Sequence, residues 1–148
     1  MKQQIRLGVF ETNSSSVHSL TMVEKPDYEK WKKGEILFSE YGCNGDSEFL
    51  PADEAIEKNL SMFDKEDLTE KFVEEYRKTK NLYKSLDADE DCGINYYDLD
   101  LSELYLNYEE YEEYEEMLAE RYCYEEFEEE YKTKSGETIV AFGYYGHD

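Results

Sequence analysis

The sequence predicts an α+β fold, in which a mostly antiparallel sheet of N-terminal strands and a C-terminal hairpin packs with two or three helices. Three observations predict it. Toward both ends apolar residues alternate with polar ones, the period of a half-buried strand. Between the ends they recur every three or four residues, the period of an amphipathic helix. Finally, fifteen Tyr, seven Phe and one Trp in 148 residues supply a core that disordered acidic chains lack. The mean hydropathy of -0.91 therefore reflects surface charge on a folded chain. A chain of this length reads as a single domain, residues 1–148.

Taken in order, Ile5, Leu7 and Val9 mark a first strand, and residues 17–23 a second, joined across the ETNSSS loop. Pro26-Asp27 starts a short helical turn that Gly34 ends, and Ile36-Leu37-Phe38 is a short strand. Residues 41–48, with Gly42, Asn44, Gly45 and Asp46, form a loop. Pro51 suits a first helical position, with Ile56, Leu60 and Phe63 at helical spacing behind it. Asp64 is placed to cap the next helix, through residue 84, whose apolar stripe is Leu68, Phe72, Tyr76 and Tyr83, with Val73 beside it. Lysines and Arg77 occupy its other faces. Residues 87–93 loop out. At the C-terminus a two-residue Ser135-Gly136 turn would pair Lys134 with Glu137 and Tyr131 with Val140. Phe127, Tyr131, Val140, Phe142 and Tyr144 would then share a face.

The charge is concentrated. Residues 87–131 carry nineteen acidic side chains and one base, Arg121, in a protein of net charge -22. Residues 1–86 hold thirteen bases against seventeen acids. Asn107 is a good N-cap for the acidic helix, and Glu109 and Glu110 in its first turn suit the helix dipole. At about 100° per residue, Tyr108, Tyr111, Tyr114, Leu118 and Tyr122 fall in one stripe, and Glu109, Glu112, Glu113, Glu116 and Glu120 fall opposite. Glu128, Glu129 and Glu130 extend the acidic surface onto a strand.

Such a run is ordinarily a solvated face. Here, however, Glu109–Glu113, Glu112–Glu116 and Glu116–Glu120 are like-charge i,i+4 pairs, each unfavourable by about 0.2–0.5 kcal/mol. No lysine relieves them between residues 85 and 131. Carboxylates three or four positions apart rise about 4.5–6 Å along the axis, loosely comparable with the phosphate spacing of about 3.4 Å per strand in B-DNA. A groove lined with Lys and Arg could accept the row in place of phosphates. The same field repels nucleic acid itself and anionic membrane surfaces.

Other chemistry is less well supplied. Asp87, Asp89 and Asp91 alternate as in a calcium loop, but Gly93 falls one place late and the twelfth position is Asp98, not Glu. No metal site and no cofactor is expected. Cys43, Cys92 and Cys123 are odd in number and widely spaced, which predicts free thiols in a reducing compartment. With no signal-peptide pattern or membrane-spanning run, a cytoplasmic location follows. Ser14, Ser15, Ser16 and His18 form the one cluster offering a nucleophile and a base. They define the alternative, a small enzyme or a nucleotide- or phosphate-binding protein. Against it stands the ordinary role of Asn and Ser in binding their own backbone at turns, and no GxSxG elbow is present.

FETNSSSVHSL (residues 10–20) and IVAFGYYGHD (residues 139–148) resemble small proteins encoded by phages and mobile elements of Firmicutes-type bacteria. The resemblance covers only these two ends and implies a context, with no catalytic residues. In character, the acidic middle is similar to phage anti-defence proteins that imitate DNA, several anti-CRISPR proteins among them. Together these readings give an expected function. It is a non-enzymatic inhibitor whose Glu109, Glu112, Glu113, Glu116, Glu120, Glu128 and Glu130 occupy the nucleic-acid channel of a host defence protein, a CRISPR effector nuclease being favoured.

Overall fold

The computed structural model describes residues 16–40, 47–95, 99–122 and 124–147. In chain order its elements are β1 (Ser16–Glu24), α1 (Lys25–Lys32), β2 (Ile36–Ser39), β3 (Glu48–Pro51), α2 (Ala52–Ser61), α3 (Glu70–Thr79), α4 (Leu82–Ala88), α5 (Tyr108–Tyr122), β4 (Tyr124–Lys132) and β5 (Thr138–His147). Short 3-10 turns lie at Lys65–Asp67 and Leu101–Glu103. Among the described residues this is an α+β fold of five α-helices and two antiparallel sheets, β1-β5-β4 and β2-β3. The chain packs as two compact units. One comprises the described residues through Glu29 and those from Glu112 onward; the other is Lys30–Tyr111.

In the first unit β1 covers the expected second strand; the expected first strand, at Ile5 to Val9, lies outside the described residues. The C-terminal hairpin forms with a different register. Tyr131 pairs with Ile139 and Lys132 with Thr138, one residue away from the two-residue-turn expectation. Thr133 N–H donates to the Glu137 carbonyl at 2.8 Å, and Gly136 N–H to the Thr133 carbonyl at 3.0 Å. Three residues, 134–136, therefore make the loop, ending at Gly136 with φ 91. A tight turn followed by one left-handed residue is the usual three-residue hairpin loop, and glycine reaches that conformation without strain.

Because side chains alternate across a strand, this one-residue difference regroups the faces. Phe127 and Tyr131 lie with Ile139 and Ala141, not with Val140, Phe142 and Tyr144 as the shorter turn would have it. Met22, Ile139 and Ala141 form a buried cluster against which Leu20 and Tyr131 pack. On the opposite face Val23, Val140, Phe142 and Tyr144 are also buried, and Phe142 meets the Tyr28 ring at 5.8 Å. That face receives Glu126, Glu128 and Glu130 from β4.

In the second unit Trp31 is the centre of an aromatic cluster. The rings of Phe38, Phe49, Tyr108 and Tyr111 surround it at 5.2 to 5.5 Å. Its Nε1–H donates to the Leu106 carbonyl at 3.1 Å, and a β-bridge joins Phe38 to Leu106. The expected helix through residue 84 is broken into pieces. Asp64 makes no side-chain cap and precedes only a 3-10 turn. Thr69 caps α3 instead, its Oγ1 accepting from the Phe72 N–H at 3.1 Å. Lys80, at φ 57, ends α3 in the left-handed region, and Asn81 caps α4 by accepting from the Lys84 N–H at 3.1 Å. Phe72, Tyr76 and Tyr83 of the predicted stripe are all buried.

Candidate partner-binding surface

The acidic helix begins at a reciprocal cap. Asn107 Oδ1 accepts from the Glu110 N–H at 2.9 Å, and Glu110 Oε1 accepts from the Asn107 N–H at 3.4 Å. This capping box satisfies two amides that a helix start otherwise leaves open. Asn107 Nδ2 also donates to the Lys80 carbonyl at 2.7 Å, so the residue that starts α5 is tied to the one that ends α3.

Placed on this helix, Glu109, Glu112, Glu113, Glu116 and Glu120 are all exposed, as are Glu128 and Glu130 on β4. Of the tyrosine stripe, Tyr111 is buried, and Tyr108 and Tyr114 are half-buried; the side chains of Leu118 and Tyr122 lie outside the description. Tyr108 also carries Lys32 Nζ over its ring, 5.3 Å from the centroid. The division into glutamate and tyrosine faces holds for these residues, with two exceptions. Glu110, at 0% exposure, and Glu115, at 7%, are buried beside the tyrosines. The Asn-x-x-Glu spacing of a capping box is the sequence signal that finds Glu110. No comparable signal marks Glu115.

The glutamates are not equivalent electrostatically. In the second unit, Glu109 Oε2 accepts from Lys84 Nζ at 2.8 Å, so part of its charge is already answered. In the first unit, Glu130 is paired with Lys25 Nζ at 3.0 Å. Glu126, absent from the sequence-based set, sits beside the predicted residues. Partial desolvation, then the charges of Glu116 and Glu112, raise its carboxyl above the usual glutamate value. Glutamates of α5 and β4 thus share one field. Among the described residues of this unit, fourteen carboxylates face four bases, Lys25, Arg121, Lys132 and Lys134.

The alternative residues are less fully described. Ser14 and Ser15 lie outside the described residues. Ser16 and His18 fall within β1, where the register sets Ser16 opposite His147 and His18 opposite Tyr145. Of the aspartates that alternate as in a calcium loop, Asp89 is buried and committed to local structure. It accepts from the Thr69 hydroxyl and, at 3.1 Å, from the Asp91 N–H. Among the described residues no group of three or more His, Cys, Asp or Glu could hold a metal ion. Cys92 is a free thiol whose Sγ approaches the Asp67 carbonyl at 3.4 Å, and burial pushes its ionisation up. Cys43 and Cys123 lie outside the described residues. No described helix is long and apolar enough to cross a membrane. No protein-family model, curated protein or solved structure matches the chain.

Proposed function

We propose that this protein is a phage-type anti-defence inhibitor, an anti-CRISPR protein whose acidic surface stands in for DNA. Its partner is a nucleic-acid-binding host defence protein in the bacterial cytoplasm, a CRISPR effector nuclease before others. The observation that carries the reading is the shared field of Glu112 and Glu116 on α5 and Glu126 on β4, borne by exposed side chains in a unit poor in bases. Like charges held together in this way are unfavourable in the free protein. A channel lined with Lys and Arg relieves that repulsion and is the kind of surface such effectors present to duplexes. Inhibition then needs occupancy alone, without a nucleophile, a metal or a cofactor.

The test is cleavage of target DNA by the effector with the protein added. Reversing Glu112, Glu113 and Glu116 together to Lys is expected to abolish inhibition, while His18→Ala leaves it intact. The reading is overturned if the triple variant, folded, inhibits as well as the wild type. Binding should also weaken steeply as salt rises, since carboxylates replacing phosphates act through a screened field.

A further inference from the structure

The acidic face of the first unit already holds one lysine. Lys25 follows directly on β1, and its Nζ lies 3.0 Å from Glu130 Oε1 on β4. These strands do not pair with each other; each pairs with β5, where Val140 stands opposite both Val23 and Glu130. The ion pair therefore reaches across the central strand of the sheet. The hydrogen bond and charge of Glu130 hold the ammonium above its ordinary ionisation range, with Glu29 adding to the effect. Both side chains remain open to water, at 42% and 56% exposure, so the contact is accessible and exchangeable.

We propose that Lys25 is an internal counter-ion, occupying at Glu130 the place that a base of the partner takes when the acidic face docks. The inference rests on reading this face as a phosphate mimic, and it names Glu130 as a binding point for a partner Arg or Lys. Nearby Glu126 and Glu128 follow Glu130 along the same face of β4, so a row of bases entering along the strand meets three carboxylates at alternate positions. Of these, Glu130 is the one held by Lys25. An exposed pair is weakly held, so the partner displaces it readily, yet until displaced it subtracts from the attraction.

The experiment titrates the full chain with a fluorescent oligo-arginine peptide at low and high salt, using wild type, Lys25→Gln, Lys25→Met, Glu130→Gln and the Lys25→Gln/Glu130→Gln double variant. Lys25→Met keeps most of the aliphatic stem, and thermal melts confirm that each variant folds. Either single change at Lys25 is expected to tighten low-salt binding about two- to fivefold, an effect of the size an exposed pair carries. The gain should vanish at high salt. It should also vanish in the Glu130→Gln background, because a double-mutant cycle isolates the pairwise part. Wild-type binding that is salt-dependent but no tighter without Lys25 overturns the counter-ion alone. A gain that persists without Glu130 does the same, since it reports net charge and not a place. If wild type shows no salt-dependent binding to the peptide, the mimic reading falls with it.

Discussion

Gly93 and Gly136 show how much a single side chain decides here. A Cβ added at Gly93 would stand 2.7 Å from Asp67 Oδ1 and 3.1 Å from Asp67 Cα, and the second contact is backbone. The Gly93 N–H meanwhile donates to the Asp67 carbonyl at 2.9 Å, so the two segments cannot separate without losing that bond. Gly93→Ala is expected to destabilise by about 1–3 kcal/mol, the range of overpacked sites, read as a lower urea midpoint with an unchanged slope. At Gly136 the space is open and only φ is at issue, so Gly136→Ala should lose about 1 kcal/mol in the same assay. Glu126 makes the opposite case. Its carboxyl is raised in the folded protein, so whatever it contributes is present at acid pH and lost as pH rises through its folded value. At neutral pH it is a liability, and Glu126→Gln should raise the melting temperature there. The gain should disappear near pH ~3, where glutamates carry their protons in both states. An equal gain at both pH values would show that charge is not the cause.

For single elements, the start of α5 was legible and the fate of the preceding helix was not. Asn107 announced a cap, and the capping bond is there at 2.9 Å. Replacing it by Ala is expected to cost about 2 kcal/mol, the upper end for a cap, because its amide also holds the Lys80 carbonyl. Amide exchange in the first turn of α5 should accelerate more than elsewhere in that helix. The break between α3 and α4 was hidden because its signal is a lysine in a conformation that lysine rarely adopts. Lys80 takes φ 57 where the bonds of its neighbours hold it: its N–H donates to the Tyr76 carbonyl at 2.7 Å, and its Nζ reaches the Gly34 carbonyl at 3.2 Å. The bond to Tyr76 is an ordinary helical one, four residues back, and Gly34 is forty-six residues away in sequence, so no local rule exposes the break. The buried glutamates were obscured in a similar way, by a run so acidic that every glutamate in it looked like surface. Only Glu110 had a pattern of its own.

At the scale of the whole molecule, charge sets the conditions of stability. A chain of net charge -22 repels itself, and screening should relieve this. The melting temperature is therefore expected to rise from low to high sodium chloride. A fall over the same range would mean that the attractive pairs, such as Arg77 with Glu57 at 2.7 Å, outweigh the repulsion. Acid acts on two kinds of carboxyl at once. Asp89 is held below its usual range first by the Thr69 hydroxyl and then by the Asp91 N–H, against some desolvation. Its contribution is present above the ordinary aspartate value and lost as pH falls through its lower folded value, opposite in sign to Glu126. Fold class was legible from periodicity because it depends on the average of many residues. Hairpin register was not, because it depends on whether the loop holds two residues or three.

That loop length has a consequence for how this surface can change. Every side chain of β4 takes its orientation from three residues at the tip, so the strand behaves like a text read in frame. Deleting Lys132, with that three-residue tip kept, would leave each letter of YEEFEEEY in place and reverse its meaning: Glu126, Glu128 and Glu130 would turn toward the face of Met22 and Ile139, and Phe127 would trade places with them. Substitutions along the strand can drift one at a time, whereas one residue lost from the strand beside an unchanged tip rewrites the whole face in a single step.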